Sequence, residues 1–483
     1  MSVDIDLAVV GSGPAGLAAA TQAAELGLDT VLFDEQATPG GQIYRNIEQV
    51  TAQRPQTLKL LSTDYYDGLV LIDAFRNSGV SYQAQTAVWE VVAERGDDGM
   101  ISLGTVTGGT AEMYHAHAVI IATGAMERPV PLPGWTLPGV MGAGAVQTLL
   151  KGSAIIPDVS SVLIGSGPLL YLVAWQLLRA GAPPHALWLT TPRLQWRHAL
   201  PALPGMLHAG DELWKGLRWL RELRAAGVSI RSGAEDLNIE GDDQVEAVSA
   251  RFGGRRKRIK TRLALLHFGI IPNTQLTMAS ACKHVWDSVQ RCWRPYHDDW
   301  GVTNVPGIFV AGDGAGIGGA RAAKLCGQLA TLEAARQLAH IDTRTRDALA
   351  SPIQISLRRE LGTRPFLNRL FPPPALNVSD ELTVCPCEGV SAGELRKVIR
   401  LGCPGPNQAK AFIRCGMGPC QGRMCGLTVS ESFARERGIP VETVGHYHLR
   451  PPVKPLTVGE LAGLAGMPTP IVDSGGLPTK GHK

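Results

Sequence analysis

Val9-Val10-Gly11-Ser12-Gly13-Pro14-Ala15-Gly16 is the stretch that decides the fold. Residues 6 to 10 read as an apolar strand, 14 to 26 as a helix with a small-residue face, and 30 to 33 as a second strand, so the stretch sits at the turn of a βαβ unit. Each glycine has its own task. Gly11 permits the tight turn out of the strand, Gly13 lets backbone N–H groups approach a pyrophosphate, and Gly16 lets the helix pack close to the sheet. The helix N-terminus, entered through Pro14 and Ala15, faces the anion. Asp34 ends the second strand 18 residues after Gly16, where a carboxylate accepts hydrogen bonds from ribose hydroxyls. Glu35 is the alternate if the strand ends one residue later. A lone G-x-G-x-x-G is weak evidence, but here the strand, the helix and the acid are all in place.

Outward from this unit, three more segments fit it. An apolar strand from Val119 to Ala122 ends in Thr123-Gly124. A later one, Ile308 to Ala311, ends in Gly312-Asp313-Gly314 and leads into a Gly/Ala-rich helix. Pro39-Gly40-Gly41-Gln42 lies just past the second strand. Any one of these is explained by an ordinary strand-end turn. In this order they resemble the flavoproteins with two dinucleotide-binding domains. Thr123-Gly124 is similar to their crossover turn, and Gly312-Asp313 to their second FAD motif. The resemblance implies FAD rather than NAD at this site, with Asp313 at the ribityl or pyrophosphate region and Gly41 and Gln42 near the flavin ring.

A second strand-turn-helix unit reads Val162-Leu163-Ile164-Gly165-Ser166-Gly167-Pro168-Leu169-Leu170. Leu170 stands where the third glycine belongs, and the next strand, Leu187-Trp188-Leu189, ends in Thr190-Thr191 without a carboxylate. Three readings are open, in order: a relic kept for structure, a site for another adenine nucleotide, or a tolerant NAD site. No redox cysteine pair accompanies the flavin motifs. Cys282 and Cys292 are ten apart and read as lone buried thiols.

The 483 residues imply two to four domains, and 45% hydrophobic against 18% charged content marks a globular chain. A net charge of +3 implies no polyanionic partner. The run Arg255-Arg256-Lys257-Arg258 reads as a solvated hairpin rather than a nucleic-acid patch, because it feeds an apolar strand from Leu263 to Phe268. The start, Met1-Ser2-Val3-Asp4-Ile5-Asp6, carries no secretory pattern. The longest apolar run, Val162 to Leu178, is interrupted by the second glycine turn, so no transmembrane segment is expected. A cytoplasmic protein is expected, with peripheral attachment to the inner membrane through its electron acceptor left open.

Of nine cysteines, Cys385, Cys387, Cys403, Cys415, Cys420 and Cys425 cluster within 41 residues, which suggests metal before disulfides. Cys385-Pro386-Cys387 and Cys420-Gln421-Gly422-Arg423-Met424-Cys425 supply four thiolates on two short loops, enough for tetrahedral Zn or a [2Fe–2S] cluster. An accompanying flavin favours the cluster, since Zn is redox-inert; a zinc-stapled module is the alternative. Gly416, Gly418 and Gly422 allow backbone N–H groups to turn toward sulfur.

These residues carry a family resemblance. Pro39-Gly40-Gly41-Gln42-Ile43-Tyr44-Arg45, with the intact first glycine turn and the Gly-Ser-Gly-Pro-Leu-Leu of the second, resembles the FAD subunits of opine oxidases, D-hydroxyproline dehydrogenase and hydrogen cyanide synthase. The stretch from Val384 to Gly426 is similar to their C-terminal domain and to bacterioferritin-associated ferredoxin, a small [2Fe–2S] protein. The resemblance implies Cys385, Cys387, Cys420 and Cys425 as ligands, with Cys415 and Cys403 spare; whether Cys415 replaces one of the four stays open. It implies a partner flavoprotein of the glycine-oxidase or amine-oxidase type that takes a hydride from the C–N bond of an opine, hydroxyproline, proline or glycine. This chain would then be the electron-transfer subunit, FAD accepting or delivering two electrons and the cluster passing them singly. FMN at a subunit interface, or an adenine nucleotide at the second site, stays open, as do the substrate and the acceptor. A self-sufficient NAD(P)H-dependent reductase of an iron–sulfur acceptor is the alternative. No general base is assigned; His115, His117 and His208 read as surface or core residues.

The expected fold is α/β, a glutathione-reductase-like flavoprotein with two dinucleotide-binding domains plus a small α-rich C-terminal domain. The FAD-binding domain is expected over 1–125 and 296–340 and the degenerate second domain over 126–295. A linker follows over 341–380, charged and then proline-rich. The [2Fe–2S]-binding domain spans 381–445, and 446–483 form an arm packed on a neighbouring surface.

Overall fold

Strand polarity and register organise the molecule. The computed structural model describes residues 3–61, 63–93, 99–206, 210–375 and 378–466. In the first sheet, Val3–Val10 lies between Thr30–Phe33 and Thr110–Ile121, parallel to both. Ser81–Gln83 extends one side, and Ile308–Val310 joins Thr110–Ile121 in parallel. An antiparallel meander of Thr86–Ala93 and Ile101–Thr107 completes it. The central strands are buried on both faces, which is why they read as continuous apolar runs.

The helix Pro14–Glu25 packs against Ala320–Gln337 at backbone contact distance. A Cβ on Gly327 would lie 2.1 Å from the Ala15 carbonyl oxygen, so glycine is required there. Thr331 Oγ1 donates to the Ala19 carbonyl at 3.1 Å.

The second sheet is wholly parallel, in the order Ser229–Ser232, Ala186–Leu189, Ser161–Ser166, Leu263–Phe268, Val140–Gly142. The basic run forms the exposed strand Arg255–Lys260, joined through Gly253-Gly254 to Ala247–Phe252 as a hairpin. Its Arg258 pairs with Glu240 at 2.6 Å.

The stretch 341–380 differs from the expected linker. It holds a 19-residue helix, Thr343–Leu361, and a shorter one, Arg364–Leu370. Asp342 caps the first through Thr345 N. Buried Glu333 accepts from Arg336, Gln337 and Arg346, tying the long helix back to Ala320–Gln337. Burial raises the Glu333 pKa, but those hydrogen bonds outweigh it and hold it at about 2. A mostly exposed helix held by ion pairs has little apolar periodicity, so its charge resembles linker composition.

The cysteine-rich part comprises a short hairpin, Thr383–Cys385 with Val390–Ser391, and three helices, Ala392–Arg400, Pro406–Ile413 and Gly426–Arg437. Ser391 and Glu394 form a reciprocal capping box on the first helix. It is no bead on a string. Leu395 and Phe433 share one apolar core with Trp188 of the second sheet and Phe252 of the antiparallel hairpin, and Trp135 Nε1 donates to the Thr383 carbonyl at 2.9 Å. The following segment returns to the first domain, where Val453 is buried and its N–H donates to the Trp89 carbonyl at 2.9 Å. Among the described residues, no helix is long and apolar enough to cross a membrane.

Candidate functional site

The register of the first sheet brings four strand ends level. Val10 is opposite both Phe33 and Ile121, and Ile121 is opposite Val310. The residues just past each strand therefore gather at one sheet edge: Gly11, Asp34, Thr123-Gly124 and Gly312-Asp313. The carboxyl edge of a parallel sheet is where such folds take ligands.

The glycines there are of two kinds. A Cβ on Gly11 (φ +106°) would lie 2.5 Å from the Ala122 carbonyl oxygen, and one on Gly16 1.8 Å from that of Gly11. Those positions are closed by the fold. Gly13, at the start of the helix, has nothing within 4 Å of its would-be Cβ, so its absent side chain serves open space. Asp34 Oδ2 accepts from Ser12 N at 2.6 Å and Ser12 Oγ at 2.8 Å, and Oδ1 from Gln36 N at 2.7 Å. Glu35 turns away and pairs with Lys454 at 2.7 Å.

The loop from Pro39 folds over this turn. Gly40 N donates to the Ser12 carbonyl at 2.9 Å, and Gly41 (φ +59°) approaches so closely that its Cβ would be 2.7 Å from Gly13 Cα. A residue that sequence reasoning missed holds the loop from below. Lys151, on the helix Ala143–Ser153, donates to the carbonyls of Gln42 and Ile43 at 3.2 and 2.9 Å and to Gln147 Oε1 at 3.1 Å. Burial, helped by nearby Arg45, pushes its pKa down to about 7. A lone lysine on an amphipathic helix gives no signal of this in the sequence. Asp313 Oδ1 accepts from Gly318 N and Gly319 N, both at 2.8 Å, and orders the entry to the helix Ala320–Gln337.

At the second unit, the glycine turn is backed by a protein side chain. Gly167 (φ +109°) has His267 Nε2 3.3 Å from its would-be Cβ, and His267 Nδ1 is 2.8 Å from Glu127 Oε1. Glu127 Oε1 also accepts from Gly144 N at 3.1 Å. Leu170 is fully buried with Val173 and Leu163, so the helix Pro168–Arg179 seats through an apolar side chain instead of a glycine contact.

The thiols divide into two groups. Cys385, Cys415 and Cys425 are buried, with their sulfurs all within 4.8 Å of one another. Cys387 and Cys420 are more exposed and interact with each other. Cys403 is buried elsewhere, its Sγ 3.5 Å from the Gly405 carbonyl. Cys415 thus joins two of the expected ligands. Hydrogen bonds from the Cys415 and Cys425 thiols, outweighing desolvation, and from the N–H groups of Gly416 and Glu388, lower the Cys385 pKa to about 2. Sharing with Cys385 pushes Cys415 up to about 12, and Cys425 is raised as well. Tyr447, outside the cysteine motif, closes the group: its hydroxyl is 3.5 Å from Cys415 Sγ and 3.8 Å from Cys425 Sγ.

Backbone links run from the first site toward the second. Asn273 N donates to the Gly124 carbonyl at 2.9 Å, and Ala125–Glu127 pairs with Ile270–Pro272. From there Met126, Ile271 and Gln275 line a cavity of about 50 Å³, closed on its other side by Gln421, Gly422 and Tyr447. His115 and His117 lie on Thr110–Ile121, the first 3.1 Å from Ser102 Oγ and the second exposed. His208 lies outside the described residues.

Comparison with known proteins agrees with this architecture. Residues 5–339 match the pyridine nucleotide-disulphide oxidoreductase family, and 384–464 match the sarcosine oxidase A3 domain. The A subunit of opine oxidase from Agrobacterium tumefaciens (strain Ach5) is 42% identical over 95% of this chain and 92% of its own length. The HcnB subunit of hydrogen cyanide synthase from Pseudomonas aeruginosa is 30% identical over 93% of this chain and 96% of its own length. The crystal structure of an L-proline dehydrogenase from P. horikoshii superposes with a TM-score of 0.70 at 18% identity, over 95% of this chain and 80% of that one.

Proposed function

Because the chain belongs to the family of opine oxidase A subunits, within the fold of the pyridine nucleotide-disulphide oxidoreductases, we propose that it is the FAD- and [2Fe–2S]-carrying electron-transfer subunit of a heteromeric oxidoreductase acting on the C–N bond of a secondary amine or imino acid. Its relatives are subunits of larger enzymes, which implies partner subunits, and the family is one of flavin-dependent oxidoreductases. A partner flavoprotein of the amine-oxidase type would carry the substrate site.

The observation that carries the proposal is the nearness of the two regions: Met126, on the strand that follows Thr123-Gly124, and Gln421 and Gly422 of the second cysteine loop line one cavity. The chemistry of each donor set supports its group. For FAD, the open space at Gly13, the carboxylates of Asp34 and Asp313, and the overlying Gly41-Gln42 loop form a cradle at a helix N-terminus. For a cluster, Cys385, Cys387, Cys420 and Cys425 are soft thiolate donors on two loops, two buried and two nearer the surface. When bound, FAD supplies two-electron chemistry and the cluster one-electron chemistry. The chain's own residues do the rest. Asp34 and Asp313 fix the two ends of the cradle, Lys151 pins its lid, and the N–H groups of Gly416 and Glu388 stabilise negative charge on Cys385 sulfur. The second unit then has a supporting role, its turn resting on His267 and Glu127.

The test is purification of the complex from the native host, with flavin, iron, acid-labile sulfide and EPR analysis. FAD together with iron and sulfide in equal amounts is expected. Zinc without iron overturns the cluster, and rapid bleaching of the isolated chain by NADH or NADPH overturns the electron-transfer role in favour of a self-sufficient reductase.

A further inference from the structure

Gly416 and Gly422 have a second property beyond their N–H groups. A Cβ on Gly416 would lie 2.5 Å from Tyr447 Cζ, and one on Gly422 2.5 Å from Tyr447 Cδ2. Both glycines have positive φ, +85° and +81°, and both leave room for the same ring. Tyr447 is 4% exposed and comes from the segment after the helices, outside the loops that carry the thiols. Asn407 accepts from His448 N at 2.7 Å and donates to the His446 carbonyl at 3.1 Å, so the backbone on either side of Tyr447 is fixed. The ring therefore enters the thiol group in one orientation, and its hydroxyl ends 3.5 Å from Cys415 Sγ and 3.8 Å from Cys425 Sγ.

We propose that Tyr447 and Cys415 form a hydrogen-bond relay onto the buried ligand sulfurs Cys385 and Cys425, and that this relay raises the reduction potential of the iron–sulfur group. The inference rests on the cluster proposed above. Reduction adds one electron and no atom, so it increases negative charge on the ligand sulfurs. A donor aimed at them stabilises the reduced form more than the oxidised form. Cys415 touches both Cys385 and Cys425 on the buried side, and Tyr447 donates to Cys415. Among the described residues, the outer pair, Cys387 (exposed) and Cys420 (partly exposed), has no such tyrosine beside it. Cys415 is thus a positioning residue for the group rather than a fifth ligand, and Tyr447 acts through it.

The experiment is potentiometric titration, followed by EPR, of the purified complex carrying Tyr447→Phe, Cys415→Ala or Cys415→Ser. Tyr447→Phe keeps the ring that fills the glycine gap. It should retain wild-type iron and sulfide and lower the equilibrium constant for one-electron reduction roughly tenfold, which is about 59 mV. Cys415→Ala should retain the iron and shift the same way, with Cys415→Ser, which keeps an O–H, falling between it and wild type. An unchanged potential in iron-replete Tyr447→Phe overturns the relay while leaving the proposed function standing. Loss of iron in Cys415→Ala overturns it differently, by making Cys415 a ligand. Wild-type protein with zinc and no iron removes the proposed cluster and the relay together.

Discussion

Gly13→Ala separates the fold from the cofactor. The substitution adds one methyl where no protein atom lies within 4 Å, at φ −73°, a value that any residue adopts. The protein without flavin should tolerate it. Replacing glycine reduces the freedom of the unfolded chain and contributes about 0.4–1 kcal/mol, while alanine is a poorer helix N-cap by a comparable amount. The net change in stability should lie within about 1 kcal/mol of zero. The open space, however, is where, on the proposed function, the N–H groups of the turn would meet a pyrophosphate. A methyl there displaces at least one hydrogen bond to a charged oxygen, which contributes roughly 1.5–3 kcal/mol, so flavin affinity should fall about 10- to 150-fold. The assay is thermal melting of flavin-free protein by circular dichroism, with FAD titration followed by flavin fluorescence. Gly16→Ala is the contrasting control, since its methyl would lie 1.8 Å from the Gly11 carbonyl oxygen and should damage the fold itself. If Gly13→Ala binds FAD as wild type does, the pyrophosphate is not held at this turn. If it melts much lower without flavin, the space is not open.

Three further outcomes arise from buried titratable groups. Lys151→Met should leave the Gln42 and Ile43 carbonyls without their donor and free the loop over the flavin cradle, seen as faster flavin release with the protein still folded. Lys151 titrates at about 7 in the folded chain and 10.5 in the unfolded one, so the unfolded chain binds more protons between those values and stability should rise with pH across that window. The ceiling is about 5 kcal/mol, and the methionine variant should lose that slope in urea titrations at pH 7 and 9.5. His284 behaves in the opposite range. Burial, with His446 nearby, lowers its pKa to about 3 from 6.5, so it contributes its full stability above pH 6.5 and loses it as pH falls toward 3. His284→Gln should flatten the acid limb of the melting temperature against pH between 6.5 and 4; an unaltered limb would assign the acid sensitivity elsewhere.

The first glycine turn was legible in the sequence because its constraints act on the backbone. Gly16 is required by the Gly11 carbonyl oxygen and Asp34 is held by a serine N–H at the turn itself, both within the first unit; Gly11 meets the Ala122 carbonyl of a distant strand, but its fixed place in the motif makes it legible all the same. The departure at Leu170 was equally legible, since it is a missing glycine at a fixed offset. What escaped is tertiary. Lys151 reaches its loop across more than a hundred residues, and Tyr447 reaches the thiols from beyond the last cysteine. Glu35, read as a second choice for ribose, instead anchors the returning arm through Lys454. The helix Thr343–Leu361 escaped because buried Glu333 and its arginines hold it, and composition treats such residues as solvated.

The returning arm explains how sites on different domains stay in register. Residues 446–454 touch each in turn: Tyr447 the thiols, His446 the ring of Trp293 at 5.1 Å, Val453 the edge of the first sheet, and Lys454 the residue after Asp34. The terminal ion pair is partly exposed and contributes at most about 1 kcal/mol. Val453, 2% exposed, contributes roughly 1.5–3 kcal/mol, so burial rather than charge seats the arm. Gln421 Nε2 and Arg423 Nη2, from the second cysteine loop, donate to the Pro452 and Val453 carbonyls at 2.6 and 3.4 Å. The loop bearing Cys420 and Cys425 is therefore tied to the strap that also holds the flavin domain. A strap of this kind would keep the proposed flavin and cluster sites at a fixed separation, a geometric requirement that neither the glycine turns nor the cysteine motif meets alone.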